Sequence, residues 1–221
     1  MSFFFALNLN NFNNLITIPK FTNEGVKLKG ISLFSAKIKK NKWQIRKQVC
    51  REDDYFFYLE VLPKDLEDIF FLNNSSFYNS NKELSVKELK ISYDVKSNYS
   101  FRANLKIKND KHGSSSYQSE YPYRMIDKKS KLLTPLSSLL HRGNEKNFLI
   151  FRNIYFEPEH KNFNLYLINL DKMEVFKKIE VFTNKTNIIH IENEFIQEKN
   201  YILSDTFLGI PIFFSVNNGH L

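Results

Sequence analysis

The chain has 221 residues, of which 42% are hydrophobic and 15% aromatic, and it carries a formal net charge of +8. This apolar content excludes an intrinsically disordered protein, and the length suits one all-β domain or two small domains. A single cysteine, Cys50, excludes an intramolecular disulfide and therefore the class of small disulfide-bonded scaffolds.

The N-terminal segment does not have the pattern of a targeting signal. Residues 3–7 form a short apolar run, but a basic region before them and a cleavage site after them are both missing. No other segment approaches the roughly 20 apolar residues that a membrane-spanning helix requires. The sequence therefore predicts a soluble, cytoplasmic protein without a membrane span.

Alternation of apolar and polar residues predicts β-strands along most of the chain. The first two, residues 31–38 and 43–49, are joined at Lys40-Asn41 and have the pattern of a hairpin. Residues 55–62, YFFYLEVL, are apolar on both faces, as in a central strand. The remaining predicted strands are residues 89–95, 99–108, 117–125, 147–156, 162–169, 174–182, 187–191 and 209–216.

Two short helices are predicted between these strands. Residues 63–72, PKDLEDIFFL, have Pro63 at the first helical position, early acids and apolar residues at helical spacing. Residues 134–143, TPLSSLLHRG, have Thr134 as a cap and Gly143 as a stop. The predicted fold class is therefore mostly β: an antiparallel, sandwich-like domain or open barrel with two short helices.

We predict a single β-rich domain over residues 1–221. The polar segment at residues 73–82, NNSSFYNSNK, is the best candidate boundary if the chain is subdivided. Near the C-terminus, Asn218-Gly219 has the pattern of a hairpin turn, with only two residues after it. Two interpretations follow: a fragment that lacks the returning strand, or a terminal turn that simply ends.

The motifs of common enzymes are missing from the sequence. The five histidines are spread singly, without the spacing of metal ligands, and the six glycines form no phosphate-binding loop. We therefore predict no metal ion and no cofactor, and we favour a non-catalytic protein over an enzyme.

Residues 114–125, SSSYQSEYPYRM, are the first candidate site. As a strand, this segment places three tyrosines on one face, with polar groups around them. Aromatic rings with a polar rim suit the apolar face and the hydroxyls of a sugar, whereas the alternative is that the tyrosines pack inside a sheet. The predicted ligand-binding residues are Tyr117, Gln118, Tyr121, Tyr123 and Arg124.

For the alternative of an enzyme, the candidate catalytic residues are His112, Glu120 and Arg152. Arg152 has apolar neighbours on both faces of its strand, so its charged head must either extend to solvent or pair with a carboxylate, that of Glu120 in a structural ion pair or that of a ligand. The spacing between His112 and the nearby serines does not match a catalytic motif, and Glu120 has no second carboxylate near it in the sequence.

Residues 37–51 contain seven basic residues and no acid. A hairpin places Lys37, Lys39, Lys42 and Arg46 on one outward face, which could follow a polyanion such as an anionic polysaccharide or a nucleic acid. The alternative is a solvated hairpin whose lysines protect a sheet edge from aggregation.

These patterns rank three functional hypotheses. The first is a binding or accessory module for a carbohydrate or a protein partner. The second is an enzyme that acts on glycans or small polar substrates, and the third is polyanion binding by the 37–51 hairpin, with nucleic acid as a less favoured ligand. The sequence carries no signal for an oligomeric state.

Overall fold

The computed structural model of the protein describes residues 2–7, 12–22, 24–75, 84–89, 103–109, 113–118 and 120–217. Regular structure in these ranges is almost entirely β-strand, and the strands pair antiparallel in four sheets, which confirms the predicted fold class. The strands are β1 Ser2–Phe5, β2 Asn13–Pro19, β3 Ile31–Lys39, β4 Lys42–Lys47, β5 Arg51–Glu52, β6 Phe56–Val61, β7 Ile69–Asn74, β8 Leu84–Val86, β9 Asn104–Asn109, β10 Gly113–Gln118, β11 Glu120–Pro122, β12 Leu132–Pro135, β13 Lys146–Arg152, β14 Asn162–Asn169, β15 Glu174–Phe182, β16 Thr186–Ile191, β17 Asn200–Ser204 and β18 Ile210–Val216.

The chain divides into two compact units. The first comprises Met1–Arg124 and Phe156–Glu159, and the second comprises Met125–Tyr155 and His160–Leu221. The division therefore does not fall in the segment 73–82. The first two residues of this segment end β7, and residues 76–82 lie outside the described ranges. The single-domain organisation stays a prediction.

The first unit contains a six-stranded sheet, in the order β11-β1-β7-β3-β4-β8, and a five-stranded sheet, in the order β10-β9-β2-β6-β5. In the five-stranded sheet, alternate residues such as Ile16, Leu59 and Leu105 are buried, and the described residues between them are half-buried or exposed. Because side chains alternate along a strand, this pattern fixes the register and gives the sheet one buried face and one more exposed face among the described residues.

The second unit contains a four-stranded sheet, in the order β12-β17-β14-β15, and a three-stranded sheet, in the order β16-β13-β18. Side chains from both sheets share one apolar core, which includes Phe151, Leu165 and Ile189. The bounds of β14 and β15 coincide with the strands predicted at 162–169 and 174–182.

The helix predicted at residues 63–72 is wrong. Pro63–Asp65 forms a single 3₁₀ turn, and the apolar residues after it form β7, between β1 and β3. The first four residues of β7 are all buried. A helix with one apolar stripe buries only one side, whereas a central strand covered on both faces buries every residue.

The helix predicted at residues 134–143 is also wrong. Leu132–Pro135 is an edge strand paired with β17, and the chain then turns, with Leu136 and Leu140 buried in the core. Pairing with β17 occupies the residues that the helix needed for its cap. The helical segments of the described ranges are short 3₁₀ turns, none of which is long and apolar enough to span a membrane.

Some predicted elements lie outside the described residues. The strand predicted at 89–95 falls there except for Leu89, as does the start of the strand predicted at 99–108, whose second half is β9. The predicted turn at Asn218-Gly219 lies outside the described residues as well.

Gly209, immediately before β18, has no room for a side chain. A Cβ atom there would lie 2.2 Å from Cε1 of Phe151, a ring that is fully buried, and 2.9 Å from the carbonyl oxygen of Arg152. We expect Gly209→Ala to lower the free energy of unfolding by about 1–3 kcal/mol through overpacking, as measured by urea denaturation. The control is Gly143→Ala, where the nearest atoms belong to the exposed side chain of His141. Equal losses in the two variants would contradict the prediction.

Candidate functional site

A line of polar side chains crosses the solvent-facing side of the five-stranded sheet. The register pairs Gln118 with Asn104, Asn104 with Thr17, Thr17 with Tyr58, and Tyr58 with Arg51. Each of the five strands therefore contributes one residue to the same line, which we name the polar row. Because neighbouring strands lie about 4.8 Å apart, the polar row extends over about 19 Å.

The polar row keeps much of its hydrogen-bonding capacity. Asn104, Gln118 and Arg51 are exposed, and Thr17 and Tyr58 are half-buried. Within the part of the chain that the structure describes, the side chains of Asn104, Gln118 and Thr17 form no hydrogen bond. Since amides and hydroxyls both donate and accept, these groups are available to a ligand.

The aromatic end of the polar row is held in place by its neighbours. The guanidinium carbon of Arg51 lies 4.3 Å from the centroid of the Tyr58 ring, and Oη of Tyr58 donates to Oδ2 of Asp53 at 2.8 Å. Oδ1 of Asp53 accepts the backbone N–H groups of Tyr55 and Phe56, each at 2.7 Å. These backbone hydrogen bonds hold the pKa of Asp53 below its ordinary value, and the bond to Asp53 raises the pKa of Tyr58. The ring is therefore fixed beside an ionised carboxylate.

A second line of side chains lies next to the polar row on the same face. Its members, paired strand by strand, are Ser116, Lys106, Leu15 and Glu60. Lys108 follows two positions further along β9 and is exposed, as are Lys106 and Glu60. Cations therefore outnumber acids among the described residues of this face.

Comparisons with known proteins assign no function to this face. The chain matches no protein-family model, no curated protein and no solved structure. The chemistry of the described residues is therefore the basis for a functional proposal.

Tyr121 does not belong to an exposed tyrosine platform. Tyr121 is fully buried in β11, opposite Phe3 of β1, and Tyr123 packs against Phe3 and Phe156 with ring centroids 6.0 and 5.6 Å away. The segment does not continue as one strand, because Gln118 ends a strand of the five-stranded sheet and Tyr121 belongs to the six-stranded sheet. Tyr121 is therefore a core residue and cannot contact a ligand.

The other predicted ligand-binding residues have different positions. Gln118 is a member of the polar row, and Arg124 is exposed in the 3₁₀ turn Tyr123–Met125. Tyr117 lies in β10, but its side chain is outside the described part of the structure.

The candidate catalytic residues do not form a described site. His112 lies outside the described residues, and only the backbone of Glu120, in β11, is described. Arg152, in the second unit, is 1% exposed and donates from Nη1 to Oγ1 of Thr186 at 2.7 Å, which favours a structural role over a ligand clamp. Among the described residues, no group of three or more His, Cys, Asp or Glu could hold a metal ion.

The predicted basic hairpin forms, as β3 and β4 with a turn at Lys40 and Asn41. Lys39 and Lys42 are exposed next to this turn. The outward basic face is nevertheless incomplete, because Lys37 and Arg46 lie beside acidic residues.

Two carboxylates neutralise the base of the hairpin. Nη2 of Arg46 lies 2.5 Å from Oδ1 of Asp65 and 3.1 Å from Oδ2 of Asp68, and Nζ of Lys37 lies 3.8 Å from Oδ1 of Asp68. Burial raises the pKa of Asp68 to about 6, against the lowering effect of Lys37 and Arg46. These ion pairs weaken the hypothesis of polyanion binding by all four cations, since two of them already have partners.

Sequence reasoning missed most of the polar row. Thr17 lies in β2, far from Tyr58 and Arg51 in the chain, and β2 was not predicted at all. The available signal was the polar alternation of 104–108, NLKIK, which marks a solvent-facing strand side but not its neighbours.

Proposed function

We propose that this chain is a non-catalytic carbohydrate-binding module whose ligand lies across the polar row. The observation that supports this proposal is the alignment of Gln118, Asn104, Thr17, Tyr58 and Arg51 on one open sheet face. An open line of side chains suits an extended oligosaccharide, whereas a small ligand requires a concave pocket that encloses it.

The chemistry of the row matches that of sugars. Sugar hydroxyls both donate and accept, as do the amides of Asn104 and Gln118 and the hydroxyl of Thr17. The C–H groups of a sugar ring require apolar contact, which the half-buried side chain of Leu15 offers on the same face. Arg51 adds donors that cannot be lost by deprotonation.

Binding is favoured over hydrolysis for a specific reason. Glycosidases use two carboxyl groups that flank the scissile bond. Glu60 is exposed on this face, but Asp53, beside the row, already accepts hydrogen bonds from two backbone N–H groups and from Tyr58. The described part of this face therefore lacks a second free carboxylate.

The test is the double substitution Asn104→Ala and Gln118→Ala. Both side chains are exposed and form no hydrogen bond to described residues, so we expect an unchanged melting temperature. Because each lost hydrogen bond contributes about 1 kcal/mol, we expect polysaccharide affinity to fall about tenfold or more. The measurement is affinity electrophoresis on laminarin, xylan, mannan, alginate and heparin.

The matched control is the double substitution Lys39→Ala and Lys42→Ala in the hairpin, which we expect to keep wild-type retention. Loss of retention in this control, but not in the Asn104 and Gln118 variant, would support polyanion binding by the hairpin instead. If the wild-type protein is retained by none of the five polysaccharides, the carbohydrate proposal is wrong.

A further inference from the structure

Two cations on the face of the polar row have no acidic partner among the described residues. Lys106 of β9 and Arg51 of β5 are both exposed, and neither forms an ion pair within the ranges that the structure describes. In the basic hairpin, by contrast, Lys37 and Arg46 lie beside Asp68. Because a neighbouring carboxylate offsets the attraction of a cation for a further anion, Lys106 and Arg51 are the stronger positions for an anionic ligand.

The ring of Tyr58 holds the guanidinium of Arg51 in position. The guanidinium carbon lies 4.3 Å from the ring centroid, and the ring is itself fixed by the hydrogen bond from its Oη to Asp53. A guanidinium that packs on a ring contacts it through its flat face, whereas its N–H donors lie in its plane. Arg51 therefore keeps donors for an anionic group, and it loses less conformational entropy on binding than an unrestrained arginine does.

The two cations are widely separated across the sheet. β9 and β5 have β2 and β6 between them, so three strand spacings, or about 14 Å, separate the strands of Lys106 and Arg51. Between them on this face, Thr17 and Leu15 are uncharged and Glu60 is acidic. A ligand that crosses these strands therefore meets positive charge at two separate points.

We propose that the oligosaccharide bound by the polar row is anionic, with carboxylate or sulfate groups at Lys106 and Arg51 and neutral hydroxyls between them. This inference rests on the proposed function, because it names the class of glycan that the same row binds. An acidic oligosaccharide carries hydroxyls as well as charges, so it uses the exposed amides of Asn104 and Gln118 together with the two cations.

The separation of the cations favours an acidic glycan over a nucleic acid. Each strand of duplex DNA carries a phosphate about every 3.4 Å along the axis, so it would place phosphates against Thr17 and Glu60 as well. Proteins that bind single strands use aromatic rings on which the bases stack, whereas the ring of Tyr58 already packs against Arg51. Charges on separate sugar units, with neutral hydroxyls between them, match this face better.

The experiment is isothermal titration calorimetry of the full chain with three oligosaccharide probes. Alginate oligomers carry carboxylates, dextran sulfate oligomers carry sulfates, and laminarin oligomers are neutral. At low salt, we expect at least one anionic probe to bind about tenfold or more tightly than laminarin. This advantage should shrink at high salt, because salt screens ion pairs between exposed groups.

Matched variants test the position of the anionic groups. Lys106→Gln combined with Arg51→Gln should weaken binding of the anionic probe about tenfold or more. The control, Lys39→Gln combined with Lys42→Gln in the hairpin, removes the same number of positive charges and should bind like the wild type. Glu60→Gln, which removes the acid from the face, should bind the anionic probe at least as tightly. Equal weakening in the two double variants would overturn the proposal, since net charge alone would then explain binding.

Failure of this inference is distinguishable from failure of the carbohydrate proposal. If laminarin binds as tightly as both anionic probes, and the Asn104 and Gln118 variant loses it, the ligand is a neutral glycan and only the present inference is wrong. If no polysaccharide binds, both are wrong. Tighter binding of poly(dT) than of either anionic probe would also overturn the inference. If the Lys106 and Arg51 double variant does not fold, Lys106→Gln alone and the salt dependence of the wild type decide the question.

Discussion

Tyr121→Ala is expected to lower the free energy of unfolding by about 3–5 kcal/mol, the cost that is typical of removing a large aromatic ring from a core. Tyr121 is 0% exposed and lies in β11, which pairs with β1 at the edge of the six-stranded sheet. Its truncation leaves a cavity in the core of the first unit. Because the backbone of residue 121 stays paired with Phe3 of β1, the surrounding residues cannot fill this cavity completely. Urea denaturation followed by far-UV circular dichroism measures the loss.

The control for this experiment is Tyr55→Ala. Tyr55 is 58% exposed and its ring stacks on that of Phe21 with centroids 6.0 Å apart, so its loss should cost about 1 kcal/mol or less. A loss below about 1 kcal/mol for Tyr121→Ala as well would contradict the assignment of Tyr121 to the core and would restore the exposed tyrosine platform.

Asp68→Asn is expected to make the protein more stable than the wild type at neutral pH but not at about pH 4. Burial raises the pKa of Asp68 from 3.8 to about 6, so the folded state binds this proton more tightly than the unfolded state does. The stability that protonated Asp68 contributes is fully present below its unfolded pKa, and it is lost as the pH rises through about 6. Asparagine does not titrate. The free energy of unfolding of the variant, relative to that of the wild type, should therefore increase by about 2–3 kcal/mol as the pH rises from about 4 to about 7.

Asp53→Asn provides a control of opposite sign. The pKa of Asp53 is lowered by the backbone N–H groups of Tyr55 and Phe56, so its contribution to stability is present above its ordinary pKa and is lost as the pH falls. The wild type should therefore be the more stable protein at neutral pH in this comparison. Urea denaturation at a series of pH values measures the free energy of unfolding of the wild type and of each variant. A difference between the wild type and Asp68→Asn that does not change with pH would show that Asp68 is not a buried titrating group.

Alternation of apolar and polar residues predicted β14, in which Phe163, Leu165 and Leu167 are buried and the residues between them are not. β14 and β15 were predicted with their observed bounds, and the β3–β4 hairpin with its turn. β1 and β7 were missed because every one of their apolar residues is buried, so their sequences do not alternate. In β7, early acids before an apolar run also matched the start of a helix.

The candidate sites show the same limit of local pattern. The segment 114–125 was predicted as one strand with one tyrosine face, but its two halves belong to different sheets, which places Gln118 in the polar row and Tyr121 in the core. The basic hairpin was predicted with four outward cations, but Asp65 and Asp68 reach two of them from a segment that resembled a helix.

The sequence by itself determined the mostly β, antiparallel class, because alternation of apolar and polar side chains is a local property of a strand with one buried face. It also determined the turn at Lys40-Asn41. The tertiary structure decided which strands are neighbours, and therefore that Gln118, Asn104, Thr17, Tyr58 and Arg51 form one line and that β15 and β16 diverge. Strand pairing joins residues far apart in the chain through backbone hydrogen bonds, which are the same for every residue type except proline, so side-chain pattern alone does not encode the choice of partner.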